Sequence, residues 1–202
     1  MCKELNYMKK LQFLTMFNLV FSICTFAHFP IFKFSSMIQD TTKTFNVYTS
    51  RTFDAPVEAV WKAWSDGNEV MKWWGPTGFT SPGAKMDFRE GGTSLVCMRA
   101  PKEFGGADMY NTWTYTKIVP NERIEFTLNF SDKDGKIFDP AQMGMPPGIP
   151  KEVPHVITLK KVGDKTEMTI TEFGYTNEQT MQMSKAGLEQ CLDKMAESIK
   201  KK

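Results

Sequence analysis

The last third of the chain constrains its fold most tightly. Val153 to Val162 and Lys165 to Gly174 are two runs of alternating character, joined by only Gly163-Asp164. A two-residue Gly-Asp loop is a type II′ or I′ hairpin turn, and its length leaves a single pairing register. Val162 then faces Lys165, Leu159 faces Met168, Ile157 faces Ile170, and His155 faces Glu172. The last three pairs share one face, because side chains alternate across a strand. The hairpin therefore predicts a histidine and a glutamate on the inward, apolar side of a sheet. Behind it, Thr176 to Lys200 reads as a long helix. Thr176-Asn177-Glu178-Gln179 fits a capping box. Met181, Ser184, Leu188, Cys191, Leu192, Met195 and Ile199 fall on one stripe at helical spacing. Gly187 lies beside that stripe, at a cost of about 1 kcal/mol relative to alanine. Close packing or room for a ligand beneath the helix would justify it.

Upstream, Ile124, Phe126, Leu128 and Phe130 alternate with polar residues in a half-buried strand. Met109 to Val119, Ser94 to Ala100 and Gly83 to Arg89 read as further strands, and Phe45 to Phe53 as the first. Asp54 is the expected N-cap of a helix carrying Val57, Val60, Trp61 and Trp64, with Pro56 in its first turn. A second short helix, Glu69 to Trp74, ends at Gly75-Pro76. The expected class is α+β: a curved antiparallel sheet of about seven strands, two short helices, and a long C-terminal helix over an apolar cavity. Lys136 to Lys151, with Met143 and Met145, is a Pro- and Gly-rich insertion, either a lid or a surface loop.

A net charge of +2 gives no footprint for nucleic acid. Cys2, Cys24, Cys97 and Cys191 form neither a disulfide framework nor a C-x-x-C motif. Neither a metal nor a cofactor is expected. Residues 1–40 read as a leader outside the fold, and 41–202 as the domain. Lys9-Lys10 followed by the apolar stretch Leu11 to Ala27 is either signal-like or upstream of a true start at Met37. It is too polar for a stable membrane span. A cytoplasmic location follows from a start at Met37, export from a signal at 1–27.

Four stretches in order carry a family resemblance. They are Thr52-Phe53-Asp54-Ala55-Pro56 with Val60-Trp61-Lys62-Ala63-Trp64; Lys72-Trp73-Trp74-Gly75-Pro76 with Gly78-Phe79; Arg89-Glu90-Gly91-Gly92; and Lys185-Ala186-Gly187-Leu188 running to Met195. Together they resemble the START-like (SRPBCC) superfamily, and within it the homologues of the activator of heat-shock-protein-90 ATPase. At the closing helix this chain has Gly-Leu where the family often carries Gly-Trp. The resemblance implies the helix-grip fold. It also implies binding of apolar small molecules between the long helix and the sheet, with some members acting as enzymes and some contacting a chaperone.

The expected ligand-binding residues are Trp64, Trp73, Trp74, Trp113, Phe126, Phe130, Met143, Met145, His155, Glu172, Met181, Ser184, Gly187, Leu188 and Cys191. Aromatics and methionines supply adaptable apolar wall. No nucleophile elbow, zinc helix or phosphate loop occurs. His155 and Glu172 are the one candidate pair for acid–base catalysis. Three functions therefore compete: a carrier or sensor of a hydrophobic molecule, an enzyme on an apolar or polyketide-like substrate, and a chaperone cofactor or interaction module.

Overall fold

The alternating segments form one seven-stranded sheet in the computed structural model, which describes residues 43–200. The expectations for the leader and for Met37 fall outside those residues. The strands are β1 (Phe45–Phe53), β2 (Thr80–Lys85), β3 (Thr93–Arg99), β4 (Asp108–Val119), β5 (Arg123–Ser131), β6 (Glu152–Val162) and β7 (Lys165–Tyr175). Their order is β1-β7-β6-β5-β4-β3-β2, and every neighbouring pair is antiparallel. Strands β2 to β7 form a meander, and β1 closes onto β7. Two short helices, α1 (Val57–Ser65) and α2 (Gly67–Trp73), connect β1 to β2, and α3 (Glu178–Ile199) ends the domain.

The last hairpin has the register that its turn requires: Val162 with Lys165, Leu159 with Met168, Ile157 with Ile170, and His155 with Glu172. Gly163 alone in the turn has positive φ, at 64°. That is the type II′ pattern, which needs a glycine at its first central position.

Four local boundaries differ from the sequence reading. Asp54 does not cap α1. Pro56 occupies the N-cap with extended backbone and no side-chain bond, so Asp54 lies too far upstream to reach the first turn. Helix α2 starts at Gly67 because Asp66 caps it, accepting from Asn68 N at 2.8 Å. The strand expected at Gly83 to Arg89 is Thr80–Lys85 instead. Asp87 N donates to Ser94 Oγ, and Arg89 N to Asp87 O, so this stretch is spent on a turn. The N-cap of α3 is Asn177, which accepts from Thr180 N at 2.9 Å. Thr176 is held outside the helix by its own N–H, which donates to Gly148 O.

The core lies between the inward face of the sheet and the three helices. Val60, Val70, Trp73, Trp113, Ile157, Ile170, Leu192 and Met195 are all fully buried there. Polar ties fix α3 across this core. Lys194 Nζ donates to Gly75 O and Phe79 O, Thr77 N donates to Gln190 Oε1, and Arg51 pairs with Asp193. The insertion is docked on the start of the same helix. Thr180 Oγ1 donates to Pro147 O, and Gly148 packs so closely on Asn177 that a Cβ would lie 2.3 Å from Asn177 Cβ. Among the described residues no helix is long and apolar enough to cross a membrane.

Truncating the seam between α3 and the sheet tests this packing. Leu192→Ala is expected to lower the unfolding free energy by about 2–5 kcal/mol. Urea unfolding should show a lower midpoint at unchanged slope.

Candidate functional site

A cavity of about 200 Å³ opens between α3 and the inward face of the sheet. Leu188, Cys191, Ser184 and Gly187 form its helical side. Trp74 and Pro76 close one edge, and Met98, Asn111, Leu128, Phe130, Val153, His155 and Glu172 rise from the strands. Tyr175 completes the wall.

The polar end is a connected cluster. His155 and Glu172 are 5% and 6% exposed. His155 Nε2 lies 3.3 Å from Glu172 Oε1, and Nδ1 lies 2.8 Å from Val153 O. Both ring nitrogens thus face oxygen atoms. The other carboxylate oxygen, Oε2, accepts from Tyr175 Oη at 2.7 Å and from Ser184 Oγ at 3.0 Å. The two hydroxyls are themselves 2.6 Å apart. Phe126 stacks on the imidazole, with centroids 4.6 Å apart and planes 12° from parallel.

Burial works against the Glu172 charge. The bonds from His155, Tyr175 and Ser184 outweigh it and hold the carboxyl below its ordinary value. Burial, with the Glu172 charge beside it, pushes the Tyr175 phenol up. Burial also raises Cys191 to about 11, so its thiol is neutral and a poor nucleophile near neutral pH.

Tyr175 reaches this cluster through a backbone irregularity. Along β1, Val47 faces Glu172 and Phe45 faces Tyr175, so two steps on β1 match three on β7. The extra residue is a β-bulge containing Gly174, whose φ is 95°. The bulge turns Tyr175 to the same face as Glu172, where simple alternation would place it outside.

The structure brings eight of the expected site residues onto the cavity wall: Trp74, Phe130, His155, Glu172, Ser184, Gly187, Leu188 and Cys191. Trp64, Trp73, Trp113 and Phe126 lie behind it in the core, where Trp64–Trp73, Trp113–Phe126 and Phe126–His155 are in ring contact. Met181 is buried in α3 but off the wall, and Met143 and Met145 belong to the docked insertion, Met143 being 43% exposed. Sequence reasoning missed Pro76, Met98, Asn111, Leu128, Val153 and Tyr175. Asn111 shares the inward face of β4 with Trp113 and Tyr115, so alternation alone marks it as a buried polar residue. Among the described residues its Oδ1 has no hydrogen-bond partner, and neither has Trp74 Nε1.

The sequence profile described as Activator of Hsp90 ATPase homolog 1-like protein matches residues 54–200. Among curated proteins none is significantly similar in sequence. Several solved structures share the fold. Protein CV1439 from Chromobacterium violaceum is 24% identical with a TM-score of 0.64, over 78% of this chain and 98% of its own. The AHSA1 (SPO3351) protein from Silicibacter pomeroyi is 19% identical with a TM-score of 0.60, over 76% of this chain and 96% of its own. CalU16 from Micromonospora echinospora is 21% identical with a TM-score of 0.52, over 76% and 75%.

The lowered Glu172 value predicts a pH signature. A carboxyl with a depressed folded value stabilises above its unfolded value, about 4.3, and loses that contribution as pH falls through the folded one. Glu172→Gln is expected to cost about 1–3 kcal/mol near neutral pH. The gap to the unsubstituted chain should close as pH drops below that unfolded value. Urea midpoints of both proteins across an acid series measure it, and a gap independent of pH would contradict the assignment.

Proposed function

The chain belongs to the family of Activator of Hsp90 ATPase homolog 1-like proteins, within the START-like superfamily, and from that premise we propose that it binds a small hydrophobic molecule in the cavity under α3, as a carrier or sensor. The observation that carries this reading is Gly187. A helical glycine costs about 1 kcal/mol relative to alanine, and a tight contact with a neighbour is the usual compensation. Here, among the described residues, a Cβ would meet nothing within 4 Å, and the residue lines the cavity. Packing therefore gives no reason for the glycine, whereas space for a bound molecule does. The wall around it is mostly apolar with a few polar groups at one end, the usual build of a small-molecule site. The volume exceeds the roughly 150 Å³ that accommodates benzene, which suits a substituted single ring or a short branched chain.

The catalytic reading has less support. Both nitrogens of His155 are engaged and Cys191 is neutral, so neither is poised as a base or nucleophile. The chaperone reading would be favoured by a contiguous exposed apolar face. Among the described residues the large exposed apolar side chains are Tyr48, Phe104, Ile137, Met143, Val162 and Met183.

Two substitutions at one position test the proposal. Gly187→Ala is expected to raise stability by up to about 1 kcal/mol. Gly187→Trp should fill the cavity and abolish binding while the fold survives. Native mass spectrometry of the gently purified chain should detect a co-purifying small molecule that the tryptophan variant lacks. Equal retention by both proteins would count against the cavity as the site.

A further inference from the structure

The polar end of the cavity has a definite hydrogen-bonding sense. The hydroxyl protons of Tyr175 and Ser184 serve three short contacts, among Tyr175 Oη, Ser184 Oγ and Glu172 Oε2. Both protons are spent inside that triangle. His155 spends its ring nitrogens on Val153 O and Glu172 Oε1. These four side chains can offer a ligand only lone pairs, on the two hydroxyls and the carboxylate. Asn111 Oδ1 is another acceptor, without a partner among the described residues, on a side chain 2% exposed. It lies on β4, three strands from Glu172 and four residues from Tyr115, where the cross-strand row Glu172–His155–Phe126 meets that strand. Trp74 Nε1, also unpartnered, supplies a donor.

The one lining carboxylate is already fully partnered. Glu172 Oε1 lies 3.3 Å from His155 Nε2, and Oε2 accepts from Tyr175 and Ser184. A ligand carboxylate would bring a second anion against acceptors, and an ammonium would bring a cation to a carboxylate whose oxygens are both engaged. Burying an unpaired charge is strongly unfavourable. An aliphatic or aromatic hydrocarbon would leave Asn111 Oδ1 and the spare lone pairs of the two hydroxyls without a donor.

We propose that the cavity selects a small neutral aromatic molecule bearing a hydroxyl, a phenol or arylalkanol, whose O–H donates to the Tyr175–Ser184–Glu172 cluster. The ring lies against Trp74 and Phe130. This rests on the ligand-binding reading above and specifies the ligand's polarity.

The full chain would be titrated with 4-ethylphenol, 4-ethyltoluene, 4-ethylbenzoate and 4-ethylbenzylammonium, following tryptophan fluorescence and heat. The phenol is expected to bind about tenfold more tightly than the toluene, as one net hydrogen bond allows. Both ions should bind more weakly than the toluene. Ser184→Ala should shrink the phenol advantage to about threefold or less, because it removes one acceptor, and leave the toluene affinity unchanged. Tyr175→Phe provides the same test if the serine variant fails to fold, judged by circular dichroism. Equal binding of phenol and toluene, tighter binding of either ion, or a phenol advantage untouched by the substitution would overturn the proposal while leaving the cavity reading in place. Failure of all four probes to bind would remove both.

Discussion

Glu172 joins three elements through a single buried carboxylate. One oxygen faces His155 on β6, the other accepts from Tyr175 at the end of β7 and from Ser184 on α3. The sheet and the long helix are thereby held in one mutual position at the point where the cavity opens. Replacing such a cluster with apolar side chains of equal volume is often neutral or stabilising, whereas removing one member is costly. Its presence is therefore better explained by what it holds in place than by the stability it adds. A half-satisfied network would be worse than none. Here both carboxylate oxygens and both imidazole nitrogens have partners, so this expense is met inside the fold.

The aromatic residues divide the interior into filled and open parts. Trp64 meets Trp73, Trp74 meets Trp113, and Trp113 stacks on Phe126, which stacks on His155. This train of rings fills the space under α1 and α2 and ends as a rigid support beneath the imidazole. The cavity begins where the rings stop, under Leu188 and Gly187. Abundant aromatics therefore do not by themselves signal a pocket: most of them are the core that makes the remaining space stiff. Interiors pack to crystal-like density, so space left open beside such a core reflects a specific omission, and here the omitted atoms are those of a side chain at residue 187.

Much of this was legible in the sequence because a two-residue turn leaves one register. That register set His155 against Glu172 on the inward face, and the helical stripe set Ser184, Gly187, Leu188 and Cys191 above them. Tyr175 was not legible by alternation, since a bulge reverses the side on which it emerges. Gly174 was the available signal: an isolated glycine near a strand end commonly marks a bulge. Aromatic composition cannot separate the lining of a cavity from the layer behind it, so Trp64, Trp73, Trp113 and Phe126 read as wall in the sequence although they lie behind it. Only the three-dimensional stacking makes that distinction. Pro76 and Met98 had no local signal, being brought to the cavity by the course of the segment after α2 and by pairing far along the chain.

The two ends of the site make different demands on stability. The Glu172 cluster resists change because any single substitution strands a buried polar group. Position 187 invites change, since alanine would fit without contact and strengthen the helix. A chain free to optimise stability alone would fill the second site before it touched the first. The coexistence of a closed polar cluster with an unfilled helical position fits the proposed binding of a small molecule: fixed groups at one end, and room for the rest of it. The same economy explains why the Met143–Met145 segment stays off the wall. Its attachment to the start of α3 through Pro147 and Gly148 positions the helix over the cavity and leaves the opening itself to the residues of α3 and the sheet.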